Sequence, residues 1–262
     1  MNKISIIGCG WLGLSLAKAL VDQQYQVAGS TTTSSKLDVL EKNGIRGSLL
    51  KLNPMPEGKY FQQLFENETL VINIPPGSRK HPPEYYREQI KYLKYLINNS
   101  EKVKRVIFIS STSYYPNNDQ VVDESTKHDL SNGSNQAIVW AEQEISQIKP
   151  ALIILRPGGL MGDDRIPGKY FAGKETEGRD NPTNYIHRED VIKTIKELLR
   201  QKEWPQVKNL VNPEHHTRQK VMMAMAKKHD FESPIWKQPF RTSTKIVDSI
   251  HPQVDLIDPL NY

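Results

Sequence analysis

The 262-residue sequence has little cysteine and no long apolar run. Its single cysteine, Cys9, excludes a framework of disulfide bonds. No apolar segment approaches the roughly 20 residues that are needed to cross a bilayer. Met1 stands directly before the first apolar segment, which leaves no room for a signal peptide. We therefore expect a cytoplasmic protein that has no membrane partner and that buries its own core.

A nucleic-acid-binding motif is also missing, although the formal net charge is +5. The lysines are scattered over predicted helix faces, and the basic clusters contain only Lys102, Lys104, Arg105, Lys227 and Lys228. This distribution indicates solvated helix surfaces that attract anionic ligands in general. We predict no nucleic-acid partner and no metal site.

A glycine-rich turn follows the first apolar segment. Residues 4–7 have the pattern of a short buried strand, and the leucines of residues 12–20 recur every four positions, as in an amphipathic helix. The turn between them has the spacing G-x-G-x-x-G, which in this context favours the binding of a dinucleotide pyrophosphate at the helix start. Cys9 is interpreted as a small packing residue of this turn. The residues predicted to hold the pyrophosphate are Gly8, Cys9, Gly10, Trp11, Leu12 and Gly13.

Acidic residues are absent between Ala28 and Lys36, after the second predicted strand. An Asp or Glu about 20 residues beyond the glycine turn would bind the ribose 2'-hydroxyl of NAD. Hydroxyl donors and one cation stand there instead, and this set suits the 2'-phosphate of NADP. We therefore expect NADP to be preferred over NAD. The residues predicted to surround the phosphate are Ser30, Thr31, Thr32 and Lys36.

Two later segments, residues 70–74 and 103–109, have the apolar pattern of buried parallel strands. Prolines follow the first segment and a hydroxyl-rich turn follows the second. Ligands of doubly wound sheets lie beyond the carboxyl ends of the strands, so both turns should reach the cofactor cleft. The alternative is that the prolines only end a strand and the hydroxyls only satisfy backbone groups. The cleft residues predicted here are Ile74, Pro75, Pro76 and Ser110.

Six predicted strands, with helices between nearly all of them, indicate an α/β fold of the Rossmann type, a doubly wound parallel sheet covered by helices on both faces. Residues 158–184 are rich in Gly, Pro and charge without a clear period, which indicates a loop over the site. Its cations either bind an anionic substrate or are exposed loop charges. These cations are Arg165, Lys169, Lys174 and Arg179.

The ordered segments GCGWLG, INIPPG, FISSTSYYP, AEQEI, LRPGGLMG and NYIHREDV resemble the extended short-chain dehydrogenase/reductase superfamily, in its NAD(P)-dependent epimerase/dehydratase group. The resemblance covers roughly residues 1–212. It implies an NAD(P)-binding Rossmann domain formed by residues 1–157 and 185–212. It also implies a small, interleaved C-terminal lobe, residues 158–184 with 213–262, that holds a substrate, often a nucleotide sugar.

The resemblance also nominates residues for the reaction, in which a hydride passes at C4 of the nicotinamide. Ser111 matches the active-site hydroxyl. Pro157, Gly158 and Leu160 match the strand end that touches the nicotinamide carboxamide.

One departure from the family concerns the catalytic Tyr and the Lys four residues after it. Counting back from Ala141 and Glu142 puts Ser134 at the Tyr position and Ile138 at the Lys position. That pair normally exchanges a proton with the substrate oxygen. Substitute acids would have to come from elsewhere, and the nominated residues are Tyr114 and Tyr115.

These features favour an atypical NAD(P)-dependent oxidoreductase or epimerase-like enzyme that acts on a small, anionic or nucleotide-sugar-like metabolite. The missing Tyr–Lys pair leaves a second hypothesis open, a catalytically silent NAD(P)-binding sensor or regulatory protein. By analogy with related folds, we also expect a homodimer through the predicted helices of residues 84–98 and 135–148.

Overall fold

The computed structural model describes residues 3–117, 120–251, 253 and 255–261 of this α/β protein. The strands in chain order are β1 (Lys3–Ile7), β2 (Gln26–Thr31), β3 (Arg46–Asn53), β4 (Met55–Lys59), β5 (Thr69–Ile72), β6 (Arg105–Ile109), β7 (Val121–Val122), β8 (Ala151–Pro157), β9 (Gly159–Met161), β10 (Glu175–Thr176), β11 (Tyr185–His187), β12 (Val207–Leu210), β13 (Ile235–Trp236) and β14 (Ile246–Val247). The α-helices are α1 (Trp11–Val21), α2 (Leu37–Lys42), α3 (Pro83–Asn98), α4 (Gln136–Ile145), α5 (Arg188–Arg200) and α6 (Arg218–Lys228).

The central sheet has eight strands in the order β12-β8-β6-β5-β1-β2-β3-β4. From β1 the chain moves outward through β2 and β3, and it then returns to β5 and continues through β6 and β8 on the other side. The pairs from β8 to β3 are parallel, as the Rossmann prediction requires. The order therefore reverses between β1 and β5, and in open α/β sheets such a switch point is where ligands bind.

The two strands at the switch point are buried on both faces. Ile4, Ile6 and Ile7 of β1 and the last three residues of β5 are at most 1% exposed. On one side α1 covers them with Leu12, Leu16 and Leu20, as the four-residue period predicts. Burial of this apolar surface fixes the carboxyl ends of β1 and β5 relative to each other.

Residues 55–59 form a strand although a proline lies within it. They make β4, which pairs antiparallel with β3 at the edge of the sheet. Gly58 has φ +149°, and a Cβ there would lie 1.9 Å from the Leu49 carbonyl oxygen. Pro56 is tolerated because an edge strand leaves one row of amides unpaired. A 3₁₀ turn, Phe61–Phe65, follows this strand.

The loop of residues 158–184 and the C-terminal region contain strands that the sequence did not predict. Each has two or three residues and pairs with a remote partner: β9 with β11, β10 with β13 and β14 with β7. Segments this short have no readable period, and only the remote partner defines them.

The chain forms two compact units that are interleaved in sequence. The first comprises Met1–Ser110, Asn135–Leu155 and Lys196–Val207, and the second comprises Ser111–Ser134, Arg156–Ile195 and Lys208–Tyr262. Residues 111–134, 156–157, 185–195 and 208–212, which the sequence assigned to the Rossmann domain, fall in the second unit. The physical reason is that β7, Asp190 and Asn209 in these segments bind C-terminal residues.

Asparagine side chains attach the backbone of the C-terminal segment to other segments of the second unit. The Asn184 amide, for example, donates to the Lys245 carbonyl (3.0 Å) and accepts from the Val247 amide (2.8 Å). Such bonds replace the ladder of a longer strand. The asparagines that act in this way are Asn181, Asn184, Asn209 and Asn212.

Glu124 adds a charged anchor to the same unit. Its carboxylate accepts hydrogen bonds from the backbone amide of Asn209 (2.7 Å), the hydroxyl of Ser249 (2.6 Å) and the backbone amide of Ile250 (2.9 Å). One side chain thereby joins the segment after β7, the strand β12 and the C-terminal backbone.

The helices through which we predict a homodimer, α3 and α4, pack on each other in the first unit. Glu144 of α4 accepts hydrogen bonds from Arg87 (2.9 Å) and Lys94 (2.6 Å) of α3. Self-association stays a prediction.

Over the described part of the chain, no helix is both long enough and apolar enough to cross a bilayer.

Candidate functional site

The glycine turn joins β1 to α1 at the switch point of the sheet. Gly8 has φ +100°, and a Cβ there would lie 2.2 Å from the Asn73 carbonyl oxygen. A Cβ on Gly13 would lie 2.1 Å from the Gly8 carbonyl oxygen, whereas a Cβ on Gly10 would meet nothing within 4 Å. Gly8 and Gly13 are thus required by the fold, and Gly10 leaves open space in front of the backbone, as the fingerprint predicts.

Two polar side chains hold this turn from the neighbouring strands. The Ser30 hydroxyl oxygen, at the end of β2, accepts a hydrogen bond from the Gly8 amide (2.9 Å). On the other side, the Asn73 side chain donates to the Gly8 carbonyl (3.1 Å). Sequence reasoning missed Asn73 because it treated residues 70–74 as one apolar strand, but β5 ends at Ile72. A polar residue just after a buried strand was the signal that could have found it.

A cavity of about 610 Å³ opens beside the turn, within the first unit. This volume lies in the range of small-molecule and cofactor sites. The predicted residues that line it are Gly8, Cys9, Gly10, Ser30, Thr31, Thr32, Lys36, Ile74, Pro75 and Pro76. Polar residues that sequence reasoning missed complete the wall, and they are Lys51, Asn53, Asn73, Lys80, His81, Tyr85 and Gln89.

The charges along this cavity have one sign. Lys36 follows β2, Lys51 lies on β3 and Lys80 lies in the loop after β5. None of the described residues that line the cavity is Asp or Glu. The positive lining without a carboxylate suits a ligand that carries several phosphates.

The predicted hydroxyl cluster after β2 divides into two parts. Ser30 and Thr31 are buried, and the Thr31 hydroxyl oxygen accepts from the Thr33 amide (3.3 Å). Thr32 and Lys36 are exposed at the cavity. Ser30 and Thr31 therefore shape the backbone, and Thr32 and Lys36 are the groups that can reach a phosphate.

Four other residues of the first unit that were predicted for the cofactor do not line the cavity. Leu12 is buried under the sheet, and Gly13 packs on the Gly8 carbonyl. The first intrahelical bond of α1 runs from the Leu14 amide to the Gly10 carbonyl (2.9 Å), so no carbonyl within the helix is available to the Leu12 and Gly13 amides. Trp11 is the first residue of the same helix. The helix start can still present amides to an anion.

Ser110, the fourth of these residues, is committed elsewhere. Its buried hydroxyl donates to the carboxylate of Glu142 on α4 (2.5 Å). Its one donor hydrogen is thus used inside the first unit, and the role of Ser110 toward the cofactor stays a prediction.

Cys9 is a packing residue, as interpreted from the sequence. Its sulfur occupies the space beside Gly29, where a Cβ would lie 2.5 Å from it. Burial raises the pKa of the Cys9 thiol to about 12, against the lowering effect of a hydrogen bond with the Ser30 backbone. The thiolate form needed for nucleophilic chemistry is thus suppressed at neutral pH.

In the second unit, Ser111 begins a 3₁₀ turn, Thr112–Tyr114. Its hydroxyl oxygen accepts hydrogen bonds from the Ser113 amide (3.1 Å) and the Ser113 hydroxyl (3.0 Å). A serine hydroxyl has two acceptor positions and one donor hydrogen. In this arrangement the hydroxyl hydrogen of Ser111 remains available to donate.

Tyr115 is fully buried, which corrects its nomination as a substitute acid. Its hydroxyl donates to the Asn209 side chain (2.7 Å) and accepts from Arg156 (2.8 Å). Burial raises the pKa of Tyr115 to about 12, although the charge of Arg156 opposes the rise. A phenol without exposed surface cannot touch a substrate. Tyr114, which is partly exposed and stacks under the Arg156 guanidinium (3.4 Å to the ring centroid), stays a candidate.

The strand end that was predicted to touch the nicotinamide lies in the second unit. Pro157 is buried, and Leu160 pairs with Ile186 of β11. A Cβ on Gly158 would lie 2.1 Å from the Asn184 carbonyl oxygen, so this glycine is required for close packing. The role of these residues toward a cofactor stays a prediction.

The loop cations differ in how their charges are used. The Arg179 guanidinium binds Asp180 with two hydrogen bonds (2.8 and 3.0 Å), which neutralises its charge locally. Lys174 lies 4.7 Å from the ring centroid of Tyr170. Arg179 therefore needs no anionic substrate as a partner.

With this geometry in place, comparison with known proteins identifies the family. A family model described as NAD(P)H-binding matches residues 8–202. This chain belongs to the NAD(P)H-binding family. Protein YeeZ of Escherichia coli strain K12 is 30% identical over 254 residues, which cover 95% of this chain and 92% of YeeZ.

Solved structures of similar fold include one that contains NAD and one that is described as NAD dependent. MoeE5 in complex with UDP-glucuronic acid and NAD has a TM-score of 0.76 at 17% identity, covering 95% of this chain and 90% of MoeE5. TunA, a novel NAD dependent-NDP-hexosamine 5,6-dehydratase involved in tunicamycin biosynthesis, has a TM-score of 0.76 at 18% identity, covering 100% of this chain and 95% of TunA. The predicted NAD(P)-binding family is thereby confirmed, and the resemblance to epimerase/dehydratase proteins is confirmed at the level of the fold.

Proposed function

We propose that this chain binds NADPH in the cavity of the first unit and acts as an oxidoreductase or epimerase-like enzyme on a small anionic metabolite. The observation that carries the proposal is the lining of that cavity. Lys36, Lys51 and Lys80 face a glycine turn with open space at Gly10, and no Asp or Glu is among the described lining residues. Hydride transfer is the chemistry that a nicotinamide supplies when bound.

The chain's own residues divide the work of binding. The amides of the glycine turn and the start of α1 face the pyrophosphate, while Ser30 and Asn73 keep the turn in shape from both sides. Thr32 and Lys36 bind the 2'-phosphate, because they are exposed and line the cavity beyond the end of β2. Ile74 and Pro75 line the central part of the cofactor.

On the substrate side, Ser111 donates a hydrogen bond to the substrate oxygen, with the hydroxyl hydrogen that its contacts with Ser113 leave available. Tyr114 is the remaining nearby phenol that can exchange a proton with solvent, since Tyr115 is buried. A nucleotide-sugar-like substrate is supported by MoeE5, which is described with bound UDP-glucuronic acid, and by TunA, which is described as a dehydratase of an NDP-hexosamine.

A second candidate function is a catalytically silent NADPH sensor. The observation that favours it is the environment of the two positions where the family has Tyr and Lys. The Ser134 hydroxyl accepts from the Asp129 amide (2.8 Å), and Ile138 is an apolar core residue. Neither position supplies an acid or base. Tight NADPH binding without turnover of a panel of carbonyl compounds and nucleotide sugars would favour the sensor over the enzyme.

The first test is a titration with NADPH and NADH, followed by nicotinamide fluorescence, on the natural chain and on Lys36→Met. NADPH should bind more tightly than NADH. The substitution should weaken NADPH binding by about tenfold, or about 1.4 kcal/mol, and leave NADH binding unchanged. The reason is that only NADPH carries the phosphate that Lys36 faces.

The matched control is Lys42→Met, which removes an exposed lysine of α2 that does not line the cavity. Equal affinities for the two cofactors would overturn the role of Thr32 and Lys36. If neither cofactor binds, the proposed function itself is overturned.

A further inference from the structure

The chain contains two Asn-Gly dipeptides, Asn43–Gly44 in the first unit and Asn132–Gly133 in the second. An asparagine before a glycine is open to spontaneous deamidation, because glycine has no Cβ to hinder the approach of its backbone nitrogen to the asparagine side chain. Both glycines have a positive φ, +72° at Gly44 and +83° at Gly133. The two dipeptides are therefore alike in sequence and in glycine conformation, and they differ in their hydrogen bonds.

The first dipeptide is held at both of its reacting groups. The Asn43 side-chain amide donates to the Val39 carbonyl (2.7 Å), and the Gly44 backbone amide donates to the Glu41 carbonyl (2.9 Å). Asn43 is also only partly exposed, at the end of α2. The nitrogen nucleophile and the side chain that it would attack are thus each bound to the helix, and both hydrogen bonds must break before the two groups can meet.

The second dipeptide lacks both of these bonds. Asn132 and Gly133 are exposed. Within the described ranges, the Asn132 side chain has no hydrogen-bond partner and the Gly133 amide donates to no acceptor. The hydrogen bonds of this turn use neighbouring groups, since the Asp129 carboxylate accepts from the amide (3.0 Å) and the hydroxyl (2.6 Å) of Ser131. The reacting groups of Asn132 and Gly133 can therefore meet without loss of a hydrogen bond.

We propose that Asn132 is a site of spontaneous deamidation and that Asn43 is protected by the fold. This inference does not depend on the proposed function. The Gly133 backbone nitrogen loses its proton to solvent and attacks Cγ of Asn132, which closes a succinimide ring, and the side-chain nitrogen leaves as ammonia. Water then opens the ring at either carbonyl and yields aspartate or isoaspartate. In sum, an amide and water become a carboxylate and ammonium, with no oxidation or reduction.

The modification alters a contact between two segments of the second unit. The Asn132 backbone carbonyl accepts a hydrogen bond from the Asn117 amide (2.7 Å), and a Cβ on Gly133 would lie 2.7 Å from the Asn117 Cβ. In isoaspartate the main chain passes through the former side chain, so this carbonyl becomes part of the free carboxylate and the main chain gains a carbon. The close packing on Asn117 leaves no space for the added carbon. We therefore expect the hydrogen bond of the Asn117 amide to break when isoaspartate forms.

The test is incubation of the folded natural chain at mildly alkaline pH in a buffer without ammonium, followed by peptide mapping by mass spectrometry. Asn132 should deamidate at least about tenfold faster than Asn43, because Asn43 and Gly44 must first break their hydrogen bonds. In urea that unfolds the chain, the two sites should react at similar rates, since the local sequence alone then acts. Electron-transfer fragmentation distinguishes isoaspartate from aspartate in the product.

Asn132→Gln is the matched control, because the longer side chain closes its ring much more slowly while an amide stays at the exposed position. Freshly purified Asn132→Asp adds the charge without the added carbon. Hydrogen exchange of the Asn117 amide should become faster in the incubated natural chain and stay slow in both variants.

The proposal is overturned if Asn43 deamidates as fast as Asn132 in the folded chain, or if unfolding leaves the ratio of the two rates unchanged. Unchanged exchange of the Asn117 amide in the isoaspartate product would overturn the predicted loss of its hydrogen bond. Cofactor binding enters none of these measurements, so they stand or fall separately from the proposed function.

Discussion

The first and second units use their polar side chains for different ends. In the first unit, the cavity wall presents Lys36, Lys51 and Lys80 without a carboxylate among its described residues. In the second unit, the side chains of Glu124 and four asparagines form hydrogen bonds with backbone groups, chiefly those of the C-terminal segment. An interior that satisfies its own polar groups gains stability, whereas charges left without partners are available to a ligand.

The same contrast separates residues within each unit. In the first unit, Ser30 and Asn73 form hydrogen bonds with the glycine turn, whereas the lysines that line the cavity are available to a ligand. In the second unit, Arg179 forms an ion pair with Asp180, whereas the hydroxyl hydrogen of Ser111 remains available to donate. A polar group that lacks a hydrogen-bond or ion-pair partner in the protein therefore indicates a ligand site better than its residue type does.

The largest effect is expected at the glycine turn. Gly13→Ala places a methyl group 2.1 Å from the Gly8 carbonyl oxygen, between two packed backbones that cannot move apart. We expect a loss of about 3 kcal/mol in the free energy of unfolding, measured by urea denaturation. The consequence should include loss of NADPH binding.

Gly10→Ala is the control for this change, because its methyl group meets no protein atom within 4 Å. It should leave the free energy of unfolding unchanged and weaken NADPH binding by about tenfold, since the methyl group enters the space where a phosphate approaches. If both variants lose stability equally, the distinction between a fold-required and a ligand-facing glycine is wrong.

The second largest effect is expected for Glu124→Gln. The carboxylate accepts three hydrogen bonds, and an amide in its place turns a donor toward one of those N–H or O–H groups. We expect a loss of about 2 kcal/mol in unfolding free energy and faster hydrogen exchange of the Ile250 amide. NADPH affinity should be unchanged, because the cavity lies in the first unit. Glu203→Gln, at an exposed position, is the control and should change neither quantity.

The smallest effect is expected at the α3–α4 contact. Burial alone would raise the pKa of Glu144, but hydrogen bonds from Lys94 and Arg87 and their charges outweigh it and hold the pKa below its ordinary value. A depressed pKa means that the stabilisation is complete above the unfolded value, near pH 4.3 for glutamate, and is lost as the pH falls through the lower folded value.

Glu144→Gln should therefore lower the unfolding free energy by about 1 kcal/mol at pH 7, and the difference from the natural chain should shrink as the pH falls below about 4. Glu88→Gln is the control, because Glu88 and its partner Lys91 are both about two-fifths exposed and such pairs contribute little. A difference that stays constant between pH 7 and pH 3 would show that Glu144 acts by packing rather than by charge.

How far the sequence predicts the site depends on whether a residue acts locally. The glycine turn was predictable because its strand, turn and helix are consecutive, and the absence of an acid between Ala28 and Lys36 was readable in one window. Lys51 and Lys80 were not predictable, because they reach the cavity only through the order in which β1, β2, β3 and β5 lie side by side.

Tyr115 illustrates the opposite error. Its place in the segment SSTSYYP made it a candidate acid, yet it lies in the interior beside Arg156 and Asn209, which are 41 and 94 residues away in the chain. Neighbouring residues in a turn point in different directions, and only the packing of remote segments decides which of them meets solvent. Tyr114 and Tyr115 could not be distinguished by sequence alone.

The sequence by itself determined the Rossmann sheet and its glycine turn, because each depends on a short local pattern of apolar residues and glycines. Only the tertiary structure decided which polar residues form hydrogen bonds or ion pairs within the protein and which remain available to a ligand. The physical reason is that a hydrogen bond or ion pair needs a partner, and for Ser110, Glu124 and Asn73 the partners come from distant parts of the chain.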